Sequence, residues 1–173
     1  MKKIIIVLLL FIGVFAFSEE YTKEEKNIIL TQFVEFQNAI KTGDIDVLNE
    51  MINYPLEGYS AKYAFYLVNN ETVNKEEVIE NKERFIKDMQ EMLLLKVNLK
   101  NNTVKSYAEG NHYIVKAEFV DYYITSERVK YKSKEKLFQV SFRDIDGEES
   151  NSDNYYFILE NNVLKLIKIF GAS

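Results

Sequence analysis

The chain of 173 residues contains no cysteine. That absence excludes disulfides, thiolate metal sites, cysteine nucleophiles and the cysteine-borne lipid anchor of bacterial lipoproteins together. Any core must hold by packing alone. A single histidine, His112, argues against a zinc site, and no metal or cofactor motif is present. No Pro/Gly/Ser-rich stretch marks a linker, and no internal repeat occurs. Basic charge is in deficit, with 22 Lys and Arg against 27 Asp and Glu. Nucleic acid is therefore not the expected partner, because a phosphate backbone calls for a basic surface.

Apolar runs are short as well. The longest spans 14 residues over 4–17, below the roughly 20 that a helix needs to cross a bilayer. Lys2 and Lys3 precede it, and Ser18 and the acidic Glu19-Glu20 follow. A charged start, a short apolar centre and small residues at the exit are the layout of a secretory signal peptide over 1–18. Ala16 and Ser18 suit a cut before Glu19, while Val14 and Ala16 suit one before Phe17. An uncleaved anchor is the alternative, disfavoured by the length of the run. The expected product is periplasmic or secreted, has no membrane span, and is more acidic for the loss of two lysines. Residues 19–173 then read as one domain, within the usual range of about 100–200. Hydrophobic content of 47%, with 12 Phe and 12 Tyr, is ample for a core.

Ile29, Phe33, Phe36 and Ile40 recur at helical spacing and predict a first helix over 23–41. Gly43 suits its left-handed C-terminal cap, and Asp44 suits the N-cap of a short second helix. Ile45, Leu48, Met51 and Ile52 give that helix a buried side, and Pro55 is expected to stop it. An extended stretch over 56–68 follows. Asn74 and Glu77 have capping-box spacing and open a third helix to about residue 95, with Val78, Phe85, Met89 and Met92 as its stripe.

From Val97 the period falls to two. Tyr113, Val115, Ala117 and Phe119 alternate with Ile114, Lys116, Glu118 and Val120 as a strand does. Over 129–142, Lys130, Lys132, Lys134 and Lys136 share a parity with Phe138, Val140 and Phe142. A bulge or sharp bend near Lys136 is the expected resolution, since one extra residue reverses all later facings. Asn161-Asn162 between two apolar stretches predicts a hairpin turn. The fold class is α+β: three N-terminal helices packed on a strongly curved, mainly antiparallel sheet of four to six strands.

The stretch Phe36-Gln-Asn-Ala-Ile-Lys-Thr-Gly-Asp44, with Leu48, Met51-Ile52 and Tyr54-Pro55-Leu56 after it, resembles the opening of nuclear transport factor 2-like domains. Asn74-Lys75-Glu76-Glu77 leading to Phe85-Ile86 continues the similarity, which is greatest to bacterial exported members. The resemblance covers about residues 21–170. It implies a cone-shaped domain with a pocket at its open end. Members include isomerases, dehydratases and hydrolases, and many that only bind. In the ketosteroid isomerase type an aspartate base works with a tyrosine and a protonated acid. No aspartate of this chain sits in a motif that marks such a base, so no catalytic residue is assigned.

Among individual candidates, His112 follows Gly110-Asn111 at an expected turn and reads as solvated. Asp44 and Asp46 read as cap and dipole charges. The acidic segment 144–153 departs from the spacing of a calcium-binding loop and reads as a solvated hairpin loop. The lysines at 130–136 read as a wet sheet face. Tyrosines carry the strongest hint. Tyr59, Tyr63, Tyr66, Tyr113, Tyr122, Tyr123, Tyr155 and Tyr156 fall on expected strands, and Tyr59, Tyr63, Tyr113 and Tyr123 are the candidate ligand-binding residues, offering both ring and hydroxyl. The expected function is an exported module that binds a small molecule or peptide without catalysis. Two alternatives stand beside it: an isomerase or hydrolase in the same pocket, and an interaction domain that meets an envelope protein or a second copy through its sheet.

Overall fold

The computed structural model describes residues 21–58, 72–110, 112–122, 135–146 and 149–172. The apolar leader, Tyr59, Tyr63, Tyr66, Tyr123 and Lys130, Lys132 and Lys134 lie outside them. Helix α1, Lys23–Thr42, opens with a capping box in which Thr22 Oγ1 accepts from the Glu25 amide and Glu25 Oε2 accepts from the Thr22 amide. It ends at Gly43, φ 72°, where the Gly43 amide donates to Ile40 and the Asp44 amide to Ala39, satisfying carbonyls that a helix end leaves open. Asp44 Oδ1 then accepts from the Val47 amide and starts α2, Ile45–Glu50.

Pro55 does not stop α2. That helix ends at Met51, and Ile52 already begins strand β1, Ile52–Glu57, with the cis Tyr54-Pro55 bond inside it. Proline has no amide to give a ladder, and it sits where the pairing of β1 slips between Ile52↔Leu166 and Glu57↔Lys168. Strand β2, Thr72–Val73, closes antiparallel onto the end of β1.

The expected third helix is divided. Asn74 and Glu77 form the capping box of α3, Lys75–Glu80, but Asn81 breaks the run before α4, Lys82–Met89, and a 3-10 turn over Gln90–Leu94. The Asn81 side chain donates to the Glu77 carbonyl at 2.9 Å, a local competitor for helical bonding. The apolar stripe survives the break: Val78, Phe85, Met89 and Met92 are all buried.

Strands β3, Lys96–Asn98, and β4, Thr103–Lys105, form a separate small hairpin. Among the described residues the main sheet has seven strands rather than four to six, in the order β2-β1-β9-β8-β7-β6-β5. Its later members are β5, Tyr107–Glu109, β6, Tyr113–Tyr122, β7, Glu135–Asp146, β8, Glu149–Glu160, and β9, Val163–Ala172. All neighbours are antiparallel except β1 and β9, which run parallel, so the sheet is mixed. Asn161 and Asn162 both take positive φ, 50° and 63°, as a two-residue hairpin turn requires. Among the described residues no helix is long and apolar enough to cross a membrane.

The sheet's inner face meets α1. Phe33 packs edge-on against Phe138 and Phe157, and Phe36 against Phe157, with centroids 5.0, 5.9 and 5.3 Å apart. All four rings are fully buried. From Glu135 onward β7 stays in register with β6, from Tyr122↔Glu135 to Tyr113↔Asp144, so among the described residues no bulge lies between Lys136 and Phe142, while residues 123–134 lie outside them. Lys136 remains on the face of Phe138 because it has partners there: Nζ lies 3.3 Å from both Glu25 carboxylate oxygens and 5.4 Å above the Tyr21 ring. The irregularity sits in β9 instead. Tyr156 faces Lys168 while Phe157 faces Leu166, so Ile167 is the extra residue. Leu164 and Leu166 point inward before it, and Ile169 does so after it, as a one-residue insertion demands.

The Glu25 contacts carry a pH dependence. The backbone amide of Thr22 chiefly holds its carboxyl below the ordinary 4.5, with burial opposing and the Thr22 hydroxyl and Lys136 assisting. A depressed folded pKa adds stability above the unfolded value and loses it as pH falls through the folded one. Urea midpoints of wild type and Glu25→Gln are therefore expected to differ at pH 7 and to converge only as the pH falls through the depressed folded pKa, below the ordinary 4.5. A gap that persists in acid would contradict the pairing.

Candidate functional site

Strand register lays out the inner face in rows. Phe119, Phe138, Phe157 and Leu166 form one row, and Ala117, Val140, Tyr155 and Ile169 the next. Then polarity enters. Val115 and Phe142 are followed on β8 by Asp153, which is 9% exposed, and the row beyond holds Tyr113 opposite Asp144. The described inner face is thus apolar under α1 and turns polar at this end, as it does at the other, where Lys136 meets Glu25.

Tyr113 is the centre of that end. Its hydroxyl donates to the carboxylate of Glu91, on the 3-10 turn after α4, with Asp144 close by. The Tyr107 ring of β5 stands edge-on to it, centroids 6.3 Å apart. Burial, then Glu91, then Asp144 and Tyr107 push the Tyr113 phenol far above its ordinary 10. It therefore stays protonated and acts as a hydrogen-bond donor rather than as a base. Gln37 of α1 fixes the turn that carries Glu91, its Nε2 donating to the carbonyls of Met92 at 2.6 Å and Leu95 at 3.1 Å. The site hangs on the long helix as well as on the sheet.

Of the four sequence-chosen tyrosines, Tyr113 alone is among the described residues; Tyr59, Tyr63 and Tyr123 lie outside them. Other tyrosines of the wider set have different places. Tyr155 is a core residue, fully buried and packed on Phe142 at 5.0 Å, with its hydroxyl 3.5 Å from the Asp88 carbonyl. Tyr156 lies on the opposite face of the sheet, cross-strand from Gln139 and Lys168, and is itself buried. His112 is exposed in the β5–β6 turn, as expected. The acidic segment is not a loop: Asp144, Ile145 and Asp146 pair with Asn151, Ser150 and Glu149 as a strand ladder. Among the described residues no cluster of acidic or histidine side chains is arranged to hold a metal ion.

Sequence reasoning missed Tyr107, Glu91 and Asp144 as site members. Asp144 had a signal, because it shares the inward parity of Phe138, Val140 and Phe142. Glu91 had none, since nothing local ties residue 91 to residue 113.

The fold and this site define an α+β domain with a phenol donor, two carboxylates and an aromatic edge gathered at one end of a mixed sheet. That grouping can hold a polar or cationic ligand by hydrogen bonds and ring contact. No family model matches the chain, and no curated protein matches it in sequence.

Proposed function

We propose that this is an exported ligand-binding module of nuclear transport factor 2-like build, with its binding site at the Tyr113 end of the sheet. The observation that carries the binding reading is the Tyr113 hydroxyl, engaged by Glu91 beside Asp144 and Tyr107 where the inner face turns polar. A ligand site combines apolar walls with few polar handles, and these residues supply that combination. The order of elements supports the build: a helix pair, a strand laid parallel to the last strand, a second pair of short helices, then an antiparallel meander. A cone whose open end is this site is the shape that the reading requires. Export rests on the leader-like 1–18 segment.

Native mass spectrometry of the protein purified from its own cell envelope tests the reading. A ligand adduct is expected on wild type and should be lost from Tyr113→Phe, whose ring packs alike but neither holds Glu91 in place nor offers a hydroxyl oxygen to the ligand. An uncapped hydrogen bond to a charged partner is worth about 1.5–3 kcal/mol, or more than a tenfold loss of affinity. Wild-type protein that carries no adduct, or a variant that keeps it, would overturn the assignment.

A further inference from the structure

Strands β3 and β4 form a hairpin apart from the main sheet, and its side chains divide by face. Val97 and Val104 pack against the core, whereas Lys96, Asn98, Thr103 and Lys105 are exposed. Lys96 and Lys105 stand directly opposite each other across the pair. Like charges in that position repel and weaken a hairpin unless an anion lies over them. At the tip, Leu99 is 40% exposed beside the exposed Lys100. The tip is docked on the start of α1, where the Asn102 side chain donates to the Lys23 carbonyl at 3.0 Å. Lys23, Glu24, Asn27, Leu99, Lys100 and Asn102 thus line one shallow concavity of about 460 Å³. None of Lys23, Lys96, Lys100 and Lys105 forms an ion pair among the described residues, in a chain whose formal net charge is −5. An apolar side chain held out among unpaired lysines is what an element that touches a membrane presents.

We propose that this hairpin rests on an anionic phospholipid surface, with Leu99 entering the acyl boundary and the four lysines meeting headgroup phosphates. A lipid surface is preferred to a soluble anion because Leu99 projects at the same tip, and a soluble anion offers it nothing to be buried against. The place of the tip agrees. The leader-like apolar run ends at Phe17 and the described fold begins at Tyr21, directly before α1, so a chain exported through that leader emerges with this end nearest the bilayer. Tyr113 lies at the other end of β6 and β7 from Lys136 and Glu25, and the proposal does not depend on the reading of that site.

The chain has no tryptophan, so Leu99→Trp places a single fluorescent probe at the tip of the protein purified from its own cell envelope. On vesicles of equimolar phosphatidylglycerol and phosphatidylcholine the probe's emission should shift to the blue, and on phosphatidylcholine alone it should stay where it is in water. Salt at about 1 M, which screens charges beyond about 3 Å, should reverse the shift. Each lysine near an anionic surface strengthens attachment about fivefold, so Lys96→Gln with Lys105→Gln, both at exposed positions, should lower the partition read from that shift about twentyfold. A leader retained on the protein would bind both vesicle types alike, so the dependence on phosphatidylglycerol and on the two lysines is what reports the hairpin. A probe that stays in water on both vesicle types, an equal shift on both, or a double-lysine variant that partitions like its parent overturns the proposal.

Discussion

Gly58→Ala is expected to cost on the order of 4 kcal/mol and to detach β1 from the sheet. Gly58 has φ 132°, a region that side chains avoid, and a Cβ built there would lie 1.5 Å from the Ile169 carbonyl oxygen and 2.6 Å from its carbon. That obstacle is backbone in a paired strand, so no rotamer change relieves it. The strand would have to lift from β9, taking buried Ile52 and Leu56 with it. Gly43→Ala is the internal comparison. Its φ is also positive, at 72°, but nothing lies within 4 Å of the added carbon, and the cost should stay near 1 kcal/mol. Urea unfolding of the two variants separates clash from strain. If they are equally destabilised, β1 does not approach β9 as closely as described.

Phe157→Ala should cost about 4 kcal/mol by leaving a cavity under α1. The Phe157 ring is fully buried and meets Phe33, Phe36 and Phe138 at 5.9, 5.3 and 6.1 Å. Removing it therefore strips contacts from the helix and the sheet at once. Phe170, on the last strand but 41% exposed, provides the contrast, and its alanine variant is expected to shift stability by less than about 0.5 kcal/mol. Equal losses at the two positions would mean that the rings under α1 are not the centre of the core.

These expectations separate what was legible in the sequence from what was not. Local capping chemistry read directly: Gly43 and Asp44, Asn74 and Glu77, and the Asn161-Asn162 turn all act within a few residues of themselves. The apolar stripe of Val78, Phe85, Met89 and Met92 read as well, because periodicity reports which side of an element is buried even where Asn81 interrupts it. The Tyr113 site was legible only in part. Tyr113 itself stood out as a hydroxyl-bearing ring on an alternating strand, but its partner Glu91 reaches it through folding alone.

The misreading at Lys136 shows the limit in one residue. A lysine with the parity of three core residues implied a bulge, since an isolated charge does not stay on an apolar face. Glu25 and Tyr21, more than a hundred positions earlier, neutralise and cover it, and from Glu135 onward β7 keeps its register with β6. By contrast the bulge at Ile167 falls where Leu166 and Ile167 interrupt the alternation and give Lys165 and Lys168 opposite parity, a local signal that the reading of periodicity passed over.

What the sequence determined by itself is therefore what nearest neighbours decide: helix caps, turn chemistry, the α+β class and the side of each element that faces inward. Tertiary structure alone decided how many strands join one sheet, that β1 lies parallel to β9, and which carboxylates gather at Tyr113. The physical reason is range. Caps and periodicity are set by bonds and contacts within one or two turns, whereas strand order, register and the site arise from contacts between residues far apart along the chain, which only the packed molecule brings together.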